Sequence, residues 1–191
     1  MKKYLIFLSA ALVLLLIWGI ATYNSLVSLQ EEVSSTWGQV ENVYQRRADL
    51  IPNLVATVKG YAAHERSTFE AVTQARANAT TVHGGELSEE EVKDYQKAQG
   101  QVTSALGRLL VIAENYPELK ANENFLDLQA QLEGTENRIA EARRLFNDAA
   151  KKYNRKVRFF PSNIIASMFG FEKKGYFEAE AGAEKAPKVE F

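Results

Sequence analysis

The chain of 191 residues is long enough for one domain with an appendage and short for two full domains. Its 46% apolar and 25% charged residues, with only four prolines, exclude a wholly disordered protein and predict a buried core. The net charge of −1 excludes an overall basic surface of the kind that attracts nucleic acid, so we expect no nucleic-acid partner. Because cysteine is absent, disulfides, zinc-thiolate sites and thiol nucleophiles are excluded as well.

The first 23 residues predict a membrane anchor. Residues 5–21 are almost entirely apolar, and a membrane-spanning helix needs about 17–25 such residues. Trp18 is a bulky interfacial residue, and Tyr4 and Tyr23 bracket the apolar run as an aromatic belt would. We therefore expect a single-pass membrane protein whose N-terminal anchor is not cleaved.

A cleaved signal peptide is the alternative to an anchor. Lys2 and Lys3 precede the apolar run, and Gly19-Ile20-Ala21 has small residues at the spacing of a cleavage site. No charge follows the two lysines until Glu31. By the charge rule alone, two basic residues before the span place the body of the protein outside the cytoplasm.

Residues 24–177 predict an all-α domain. Apolar residues over 26–43 recur at steps of three and four, and a second stripe over 51–79 is shifted by about one position. Pro52 lies at the junction, which predicts one long helix with a kink that rotates the buried face. The pattern ends at the His83-Gly84-Gly85 turn.

Two further long helices are expected after this turn. A capping box of Ser88 and Glu91 predicts the start of the second helix, and Asn122 is the expected N-cap of the third. Basic residues over 151–158 complement the C-terminal end of the third helix dipole, which we prefer to a nucleic-acid or lipid contact. Short joins force neighbouring helices to run antiparallel, so we predict an up-and-down bundle of three long helices and a short C-terminal helix.

The segment 159–171 is too short to span a membrane and too apolar to remain in water. Ser162 is expected to cap the short fourth helix within it. We interpret the segment as a docking surface for another protein or the bilayer, or alternatively as a cap over the open end of the bundle core. The residues after it, 178–191, have the composition of a disordered tail. The apolar side chains of the segment are Phe159, Phe160, Ile164, Ile165, Met168, Phe169 and Phe171.

His64 and Glu65 do not complete a metal site. The zinc-protease motif needs a second histidine one turn after the glutamate, and Thr68 stands there instead. Tyr61 and Thr80 stand where a carboxylate di-metal bundle would need glutamates. The sequence shows no nucleophile–base pair either, so we expect no cofactor and no enzymatic activity.

Polar residues on or beside the apolar seams form a candidate interaction or structural cluster. Arg47 falls on the stripe itself, and a buried guanidinium needs an acceptor, either from a facing helix or from the carbonyl that Pro52 leaves free. We interpret the cluster as a structural network that fixes helix register, with a ligand or partner site as the alternative. Its members are Arg46, Arg47, Asp49, Asn53, His64, Glu65, Glu136, Asn137 and Arg138.

Several longer motifs occur together and in order. They are Tyr23-Asn24-Ser25-Leu26-Val27, Arg46-Arg47-Ala48-Asp49-Leu50-Ile51-Pro52-Asn53-Leu54-Val55, Lys59-Gly60-Tyr61, His64-Glu65, Ala75-Arg76, Glu114-Asn115-Tyr116-Pro117-Glu118-Leu119-Lys120-Ala121-Asn122-Glu123-Asn124-Phe125, Glu136-Asn137-Arg138-Ile139, Ala142-Arg143-Arg144, Phe146-Asn147, Tyr153-Asn154 and Phe160-Pro161-Ser162-Asn163. Together they resemble the bacterial LemA family over essentially the whole chain from the anchor to about Phe177. One departure is Phe146, where the resemblance leads us to expect a tyrosine, so a hydroxyl contact there is in doubt.

The resemblance implies a membrane-anchored antiparallel helical bundle of poorly defined molecular function, with no established reaction or cofactor. It also implies a short N-terminus outside the bacterial cell and a bundle in the cytoplasm, opposite to the orientation that the charge rule favours. We leave the side of the membrane open, with a preference for the charge rule.

The expected function is that of a non-enzymatic scaffold that engages the lipid bilayer and other membrane or envelope proteins. One alternative is an accessory hydrolytic enzyme, in which His64 and Glu65 would have to converge with Arg46, Arg47 and Asp49. The other is a self-associating envelope-stress or membrane-remodelling protein, and a homo-oligomer is compatible with each of these readings.

Overall fold

The computed structural model of the protein describes residues 2–82 and 84–179, and every regular element in these ranges is a helix. The all-α class predicted from the periodicity is therefore confirmed. The helices in chain order are α1 (Lys2–Lys59), α2 (Arg66–Thr81), α3 (Glu89–Glu114), α4 (Pro117–Lys120), α5 (Glu123–Arg158) and α6 (Ser162–Met168).

Helix α1 is one uninterrupted helix of 58 residues that runs from the apolar N-terminus into the bundle and through Pro52. The predicted rotation of the buried face at Pro52 is wrong, because the buried positions keep one register on both sides of the proline. The apolar residues alone suggest a shift, because the buried position 47 is occupied by an arginine and is not counted among them. The buried positions alternate by four and three residues: Val33, Trp37, Val40, Tyr44, Arg47, Ile51, Leu54 and Val58.

The chain reverses over residues 60–65 and not at Pro52. The Gly60 N–H bonds the carbonyls of Ala56 and Thr57 at 3.3 and 3.2 Å, which tightens the last turn of α1 before the chain leaves it. Helix α2 then runs back along α1. The stretch predicted as one long helix is therefore an antiparallel pair. Over residues 2–82 and 84–179 the bundle has four main helices, α1, α2, α3 and α5, where three were predicted.

Helices α1 and α5 form the main antiparallel pair of the fold. Glu32 bonds Lys152 at 2.9 Å, and near the other end of the pair Tyr61 accepts a bond from Asn122 at 3.0 Å. Residue numbers thus rise along α1 as they fall along α5. Helices α2 and α3 form a second pair, joined by residues 82–88. The predicted up-and-down arrangement is confirmed.

The buried core has two parts. The distal core joins the C-terminal half of α1 to α2, α3, α4 and the start of α5. The proximal core, nearer the apolar N-terminus, joins the middle of α1 to the start of α3, the second half of α5 and Phe177 from the C-terminal segment. Helix α2 contributes buried residues only to the distal core. In the proximal core, Phe177 from the segment after α6 packs among the buried residues.

Two predicted helix starts are confirmed. The Ser88 hydroxyl accepts from the Glu91 N–H at 3.3 Å, and the Glu91 carboxylate accepts from the Ser88 N–H at 2.9 Å, so α3 begins with a capping box. The bond from the Ser88 N–H is the main reason that the pKa of the Glu91 carboxyl lies below its usual value. Helix α5 begins with the Asn122 side chain, which accepts from the Phe125 N–H at 3.0 Å.

The C-terminal region differs from the prediction at two points. Ser162 is the first residue of α6 and not its cap, since its hydroxyl donates to the carbonyls of Lys156 and Phe159 at 2.6 and 2.8 Å. After α6, residues 171–178 have no regular secondary structure and cross the bundle, and we call them the C-terminal strap. The tail predicted for 178–191 therefore begins with a residue bound to the fold, and 180–191 lie outside the described residues.

Candidate functional site

A buried arginine joins three helices in the middle of the bundle. The Arg47 side chain is 2% exposed, and its Nη1 donates to Glu136 Oε1 on α5 and Thr103 Oγ1 on α3, both at 2.9 Å. Its Nη2 donates to the side-chain and main-chain oxygens of Gln99 at 2.7 and 3.1 Å. The Tyr44 ring lies 4.9 Å from the guanidinium carbon. The expected acceptor from a facing helix is confirmed as Glu136.

This network is suited to fixing helix register. The two terminal nitrogens of Arg47 make four hydrogen bonds, which leaves the guanidinium little capacity for a further ligand. A slide of α1 by one turn past α3 or α5 would leave the same charge buried away from these acceptors, at a cost of several kcal/mol by order of magnitude. Glu136 is 41% exposed, so water reaches its carboxylate.

The carbonyl that Pro52 leaves without a helical donor has a partner, but the partner is not Arg47. Because proline lacks an N–H, the Ala48 carbonyl four residues earlier loses its bond within α1. Arg76 of α2 donates to that oxygen through Nε at 2.7 Å. The proline is therefore accommodated by a side chain from the neighbouring helix, and α1 continues without a break.

A cleft of about 250 Å³ opens beside the Arg47 network. Its lining includes Glu41, Gln45, Arg76 and Tyr95. Burial raises the pKa of the Tyr95 phenol above its usual range, so this group remains protonated and cannot serve as a base near neutral pH. The charged lining residues have both signs, and the cleft does not favour one class of charged ligand.

The other residues of the predicted cluster near Pro52 lie apart from the network. The side chains of Arg46, Asp49 and Asn53 are exposed on the outer side of α1. Asp49 accepts a bond from Gln45, one turn earlier on the same helix, at 2.7 Å. These three residues therefore belong to the surface of α1, and only Arg47 joins Glu136 in the interior.

The remaining predicted residues lie at two other places. Asn137 and Arg138 are exposed on α5, where they border a shallow depression between α1 and α5. His64 and Glu65 lie in the turn after α1. Asp49 precedes the end of α1 by ten residues, which is about 15 Å of helix, so the groups of the hydrolytic alternative are spread along the molecule. Among the described residues, no three His, Asp or Glu side chains are grouped as metal ligands.

Three amide side chains hold the C-terminal strap, and two of them, Asn147 and Asn154, belong to the motifs that carry the family resemblance, where no role was predicted for them. Asn154 and Asn147 on α5, and Gln96 on α3, each donate to a strap carbonyl and accept from the N–H of the same residue. The residues paired in this way are Lys174, Phe177 and Glu178, with distances of 2.7–3.0 Å. The arrangement satisfies the backbone polar groups of these three strap residues with side chains in place of a helix or a neighbouring strand. Two asparagines seven residues apart beside the α5 seam were the available signal.

Phe177 fixes the strap in the proximal core. Its ring stacks on Trp37 with centroids 5.8 Å apart and meets the Phe146 ring edge-on at 5.5 Å. The Arg143 guanidinium carbon lies over the same ring, 5.1 Å from its centroid. Phe146, the departure from the expected tyrosine, lies wholly within this aromatic cluster. The Trp37 Nε1 is buried and has no hydrogen-bond partner among the described residues.

The apolar segment 159–171 leaves most of its large side chains outside the core. Phe160 and Met168 are 80% and 71% exposed, and Phe159, Ile164 and Phe169 are exposed as well. Of the large apolar residues in the segment, Phe171 alone packs against the proximal core. Helix α6 lies against α1, where a Cβ at Gly19 would stand 3.8 Å from Ile165 Cδ1. Helix α6 itself buries Ser162 and Ala166 against the bundle, so the segment covers part of the bundle end and leaves an apolar side exposed.

The N-terminal part of α1 is a candidate membrane span. It contains a stretch of 18 residues with a mean hydropathy of 2.5, of which 6% is buried by the rest of the protein. This assignment rests on length and composition alone. Its large apolar side chains, from Tyr4 to Ile20, are exposed.

The fold and these features define an antiparallel helical bundle that continues a candidate membrane-spanning helix and is fixed by a buried arginine network. The profile of the LemA family matches residues 36–191. The chain belongs to the LemA family, and the family predicted from its motifs is confirmed.

Two curated relatives illustrate the range of similar proteins. The chain is 27% identical over 181 residues to magnetosome protein MamQ 1 of Paramagnetospirillum magneticum, a match that covers 85% of this chain and 66% of the relative. It is 25% identical over 156 residues to protein LemA of Metamycoplasma hominis, covering 82% of this chain and 68% of the relative. The chain thus spans slightly less than two thirds of the MamQ length.

Proposed function

We propose that this protein is a non-enzymatic scaffold, anchored in a bacterial membrane by the start of α1, whose bundle engages other membrane or envelope proteins. The observation that carries the proposal is the continuity of α1 from the apolar run to the distal core. A helix without a hinge holds the bundle at a fixed distance and angle from its anchor, which suits a scaffold. Residues 24–59 extend about 54 Å by helical rise.

The polar groups also support a structural function. The strongest polar constellation, around Arg47, is internally satisfied, and the residues that an acid–base mechanism would need are spread along α1 and beyond it. The relatives named magnetosome proteins carry the name of a cellular structure and not of a reaction. A protein that organises others at a membrane fits both observations.

The proposal is tested by site-specific photocrosslinking of the full-length protein in its native membrane. A photoreactive amino acid is placed at exposed positions on different sides of the bundle, Gln101 on α3, Asn137 on α5 and His64 in the turn. We expect discrete cross-linked products with other proteins from one side of the bundle. Products that contain only this chain, from every position, would overturn the scaffold proposal in favour of self-association.

A matched variant tests the importance of the continuous helix. Insertion of a short Gly-Ser segment after Tyr23 keeps the anchor and the bundle but breaks α1 between them. We expect the cross-linked products to decrease or to shift to other positions, while substitution of His64 by alanine leaves them unchanged. If the insertion has no effect, the fixed geometry of α1 is irrelevant to partner binding.

A further inference from the structure

We infer that α6 and two arginines at the end of α5 form a second membrane-contact site, which binds the interface of a bilayer containing anionic phospholipid. The inference rests on the proposed membrane anchoring and names a lipid surface as the occupant of the exposed apolar side of α6. It differs from the anchor itself, because the residues come from the opposite end of the chain.

The position of α6 along α1 gives its depth. Ile165 lies against Gly19, and Phe169 meets the Tyr23 ring with centroids 4.8 Å apart. Gly19 lies within the apolar run 5–21, about 3 Å from its end by helical rise. If residues 5–21 cross the hydrocarbon core, α6 must lie at its boundary with the headgroups. Because α6 packs beside Gly19 and Tyr23, a tilt of the straight helix α1 does not move α6 away from that boundary.

The exposed side of α6 has the composition expected at such a boundary. Ser162 and Ala166 are its buried residues, whereas Ile164 and Met168 are exposed, as is Phe160 just before the helix. An apolar patch of this kind is costly in water and favourable in the acyl–headgroup region, where interfacial helices insert. The partly exposed aromatic side chains of Trp18 and Tyr23 lie within about 6 Å of Gly19 by helical rise, in the range of an interfacial belt.

The charges near α6 complement an anionic lipid surface. Lys152 bonds Glu32, which fixes the height of α5 against α1. Counting helical rise from that bond, Arg158 lies about 5 Å and Arg155 about 9 Å farther from the hydrocarbon core than Tyr23. Both side chains are within reach of the lipid phosphates. Both arginines are exposed. From the sequence alone, this basic cluster is expected to complement the dipole of α5. The fold also places it at the membrane end of the molecule.

Acidic groups at this end are fewer than the basic ones. Glu32 is paired with Lys152, which leaves Glu31 on α1, Glu86 before α3 and Glu172 after α6 among the described residues of this end. The basic residues that remain there are Lys151, Arg155, Lys156 and Arg158 on α5 with Lys173 and Lys174 after α6. The balance favours a lipid surface of negative charge over a neutral one.

The test uses the natural absence of cysteine. A single cysteine at Met168, introduced as Met168→Cys in the full-length protein and labelled with a small fluorophore, is reconstituted into vesicles containing lipids brominated in the acyl chains. Leu12→Cys in the apolar run is the reference for an inserted site. Val111→Cys, an exposed apolar position on α3, is the reference for a site in water. We expect the lipid bromines to quench the label at 168 nearly as strongly as the label at 12, and not to quench that at 111.

The outcomes separate this inference from the anchoring on which it rests. If the label at 12 is quenched and the label at 168 behaves like that at 111, α6 is in water or covered by protein, and the inference fails while the anchor stands. Disulfide-linked dimers of the unlabelled Met168→Cys variant would identify a second copy of the chain as the occupant and would also overturn it. Quenching at 168 without quenching at 12 would support the lipid contact and overturn the anchor.

The lipid class is tested with charge variants. The double variant Arg155→Gln/Arg158→Gln is compared with Arg66→Gln/Arg108→Gln, which removes the same charge from exposed residues far from α6. Adding phosphatidylglycerol to phosphatidylcholine vesicles is expected to increase quenching at 168 in the control, and less in the test variant. Each lost charge should weaken docking about fivefold on anionic vesicles at low salt. Equal behaviour of the two variants would exclude recognition of anionic lipid.

Discussion

Arg76 donates a hydrogen bond at 2.7 Å to the main-chain carbonyl of Ala48, the oxygen that Pro52 deprives of its donor. A proline inside a helix normally leaves this carbonyl to water or bends the helix around it. Here a side chain from the antiparallel neighbour supplies the missing donor. The bond thus couples the backbone of α1 to the position of α2.

This coupling is measurable in a double-mutant cycle. Arg76→Ala should destabilise the protein by about 1–2 kcal/mol, because a charged donor is lost and a partly buried carbonyl is left unpaired. In a Pro52→Ala background the alanine N–H bonds Ala48, so the same substitution should cost less. Urea unfolding in detergent micelles, followed by far-ultraviolet circular dichroism, gives the four stabilities. Additive effects of the two substitutions would contradict the assignment, and Arg66→Ala, in an exposed pair with Glu70, should show little change.

The network around Arg47 predicts a difference between two substitutions of Glu136. Glu136→Ala removes an acceptor from a charged and almost fully buried donor and should cost about 2 kcal/mol. Glu136→Gln keeps a carbonyl oxygen in the same place and should cost clearly less. Thermal unfolding of both variants in the same detergent measures the difference. Equal destabilisation would show that the negative charge of Glu136, and not its bond to Nη1, is what stabilises the bundle.

The strap should detach locally when its aromatic residue is removed. Phe177→Ala deletes a buried ring, a change that costs about 3–5 kcal/mol where the site cannot relax. Because the strap can leave without unfolding the helices, we expect a smaller loss of global stability and a large loss of hydrogen-exchange protection at the amides of Lys174, Phe177 and Glu178.

Asn147→Ala should release the same amides to a lesser degree, since Asn154 and Gln96 retain their bonds to the strap. A substitution on the exposed side of the same helix, Asp148→Ala, is the control. Unchanged protection of the strap in Phe177→Ala would show that the aromatic cluster does not hold it.

The capping box of α3 predicts a pH dependence. The pKa of Glu91 is lowered in the folded protein, chiefly by the Ser88 N–H, so its ionised form is favoured by folding. The resulting stability is present above the ordinary carboxyl pKa near 4.5 and is lost as the pH falls through the lower folded value. Glu91→Gln should therefore be less stable than the natural chain at neutral pH and converge with it in acid. Denaturation curves across this range test the sign, with Glu90→Gln as a control outside the capping box.

Two glycines should respond to alanine in opposite directions. At Gly84 a Cβ would stand 2.5 Å from the Trp37 ring and 2.7 Å from Leu87, so Gly84→Ala should destabilise by about 1–3 kcal/mol through overpacking. At Gly100, inside α3, nothing lies within 4 Å of a Cβ, and Gly100→Ala should stabilise by about 0.5–1 kcal/mol through helix propensity. Melting temperatures of the two variants give the comparison. A stabilised Gly84→Ala would show that the turn before α3 can move away from Trp37.

Local sequence signals predicted the helices that carry caps. Ser88 with Glu91, and Asn122, mark the starts of α3 and α5 because capping is decided by residues three positions apart. The break after Lys59 was missed because the stripe continued beyond it. Pro52 is the stronger local breaker, and its tolerance depends on Arg76, which is close in space and distant in sequence.

The site residues also fall into those that local sequence signals predict and those that depend on the packing of distant segments. Arg47 was recognisable as an apolar-seam position occupied by a charge, and the need for an acceptor follows from that alone. Which acceptors it takes depends on the register of three helices, so Gln99 and Thr103 carried no signal of their own. The strap was not predicted for a related reason, since Asn147 and Asn154 give a local signal on α5 but do not show which distant backbone they bind.

Trp37 and Trp18 are the two indoles of the chain, and they lie in different surroundings. Trp37 is enclosed by Phe146, Tyr95 and Phe177, and its N–H has no partner in the described part of the chain, whereas Trp18 is on the apolar run of α1. A Trp18→Phe variant would therefore contain a single tryptophan, whose emission can be excited selectively over that of the tyrosines. Its emission should lie at short wavelength while Phe177 covers it and move to longer wavelength once water reaches the indole. The fluorescence of Trp37 would therefore show whether the C-terminal strap is bound to the proximal core.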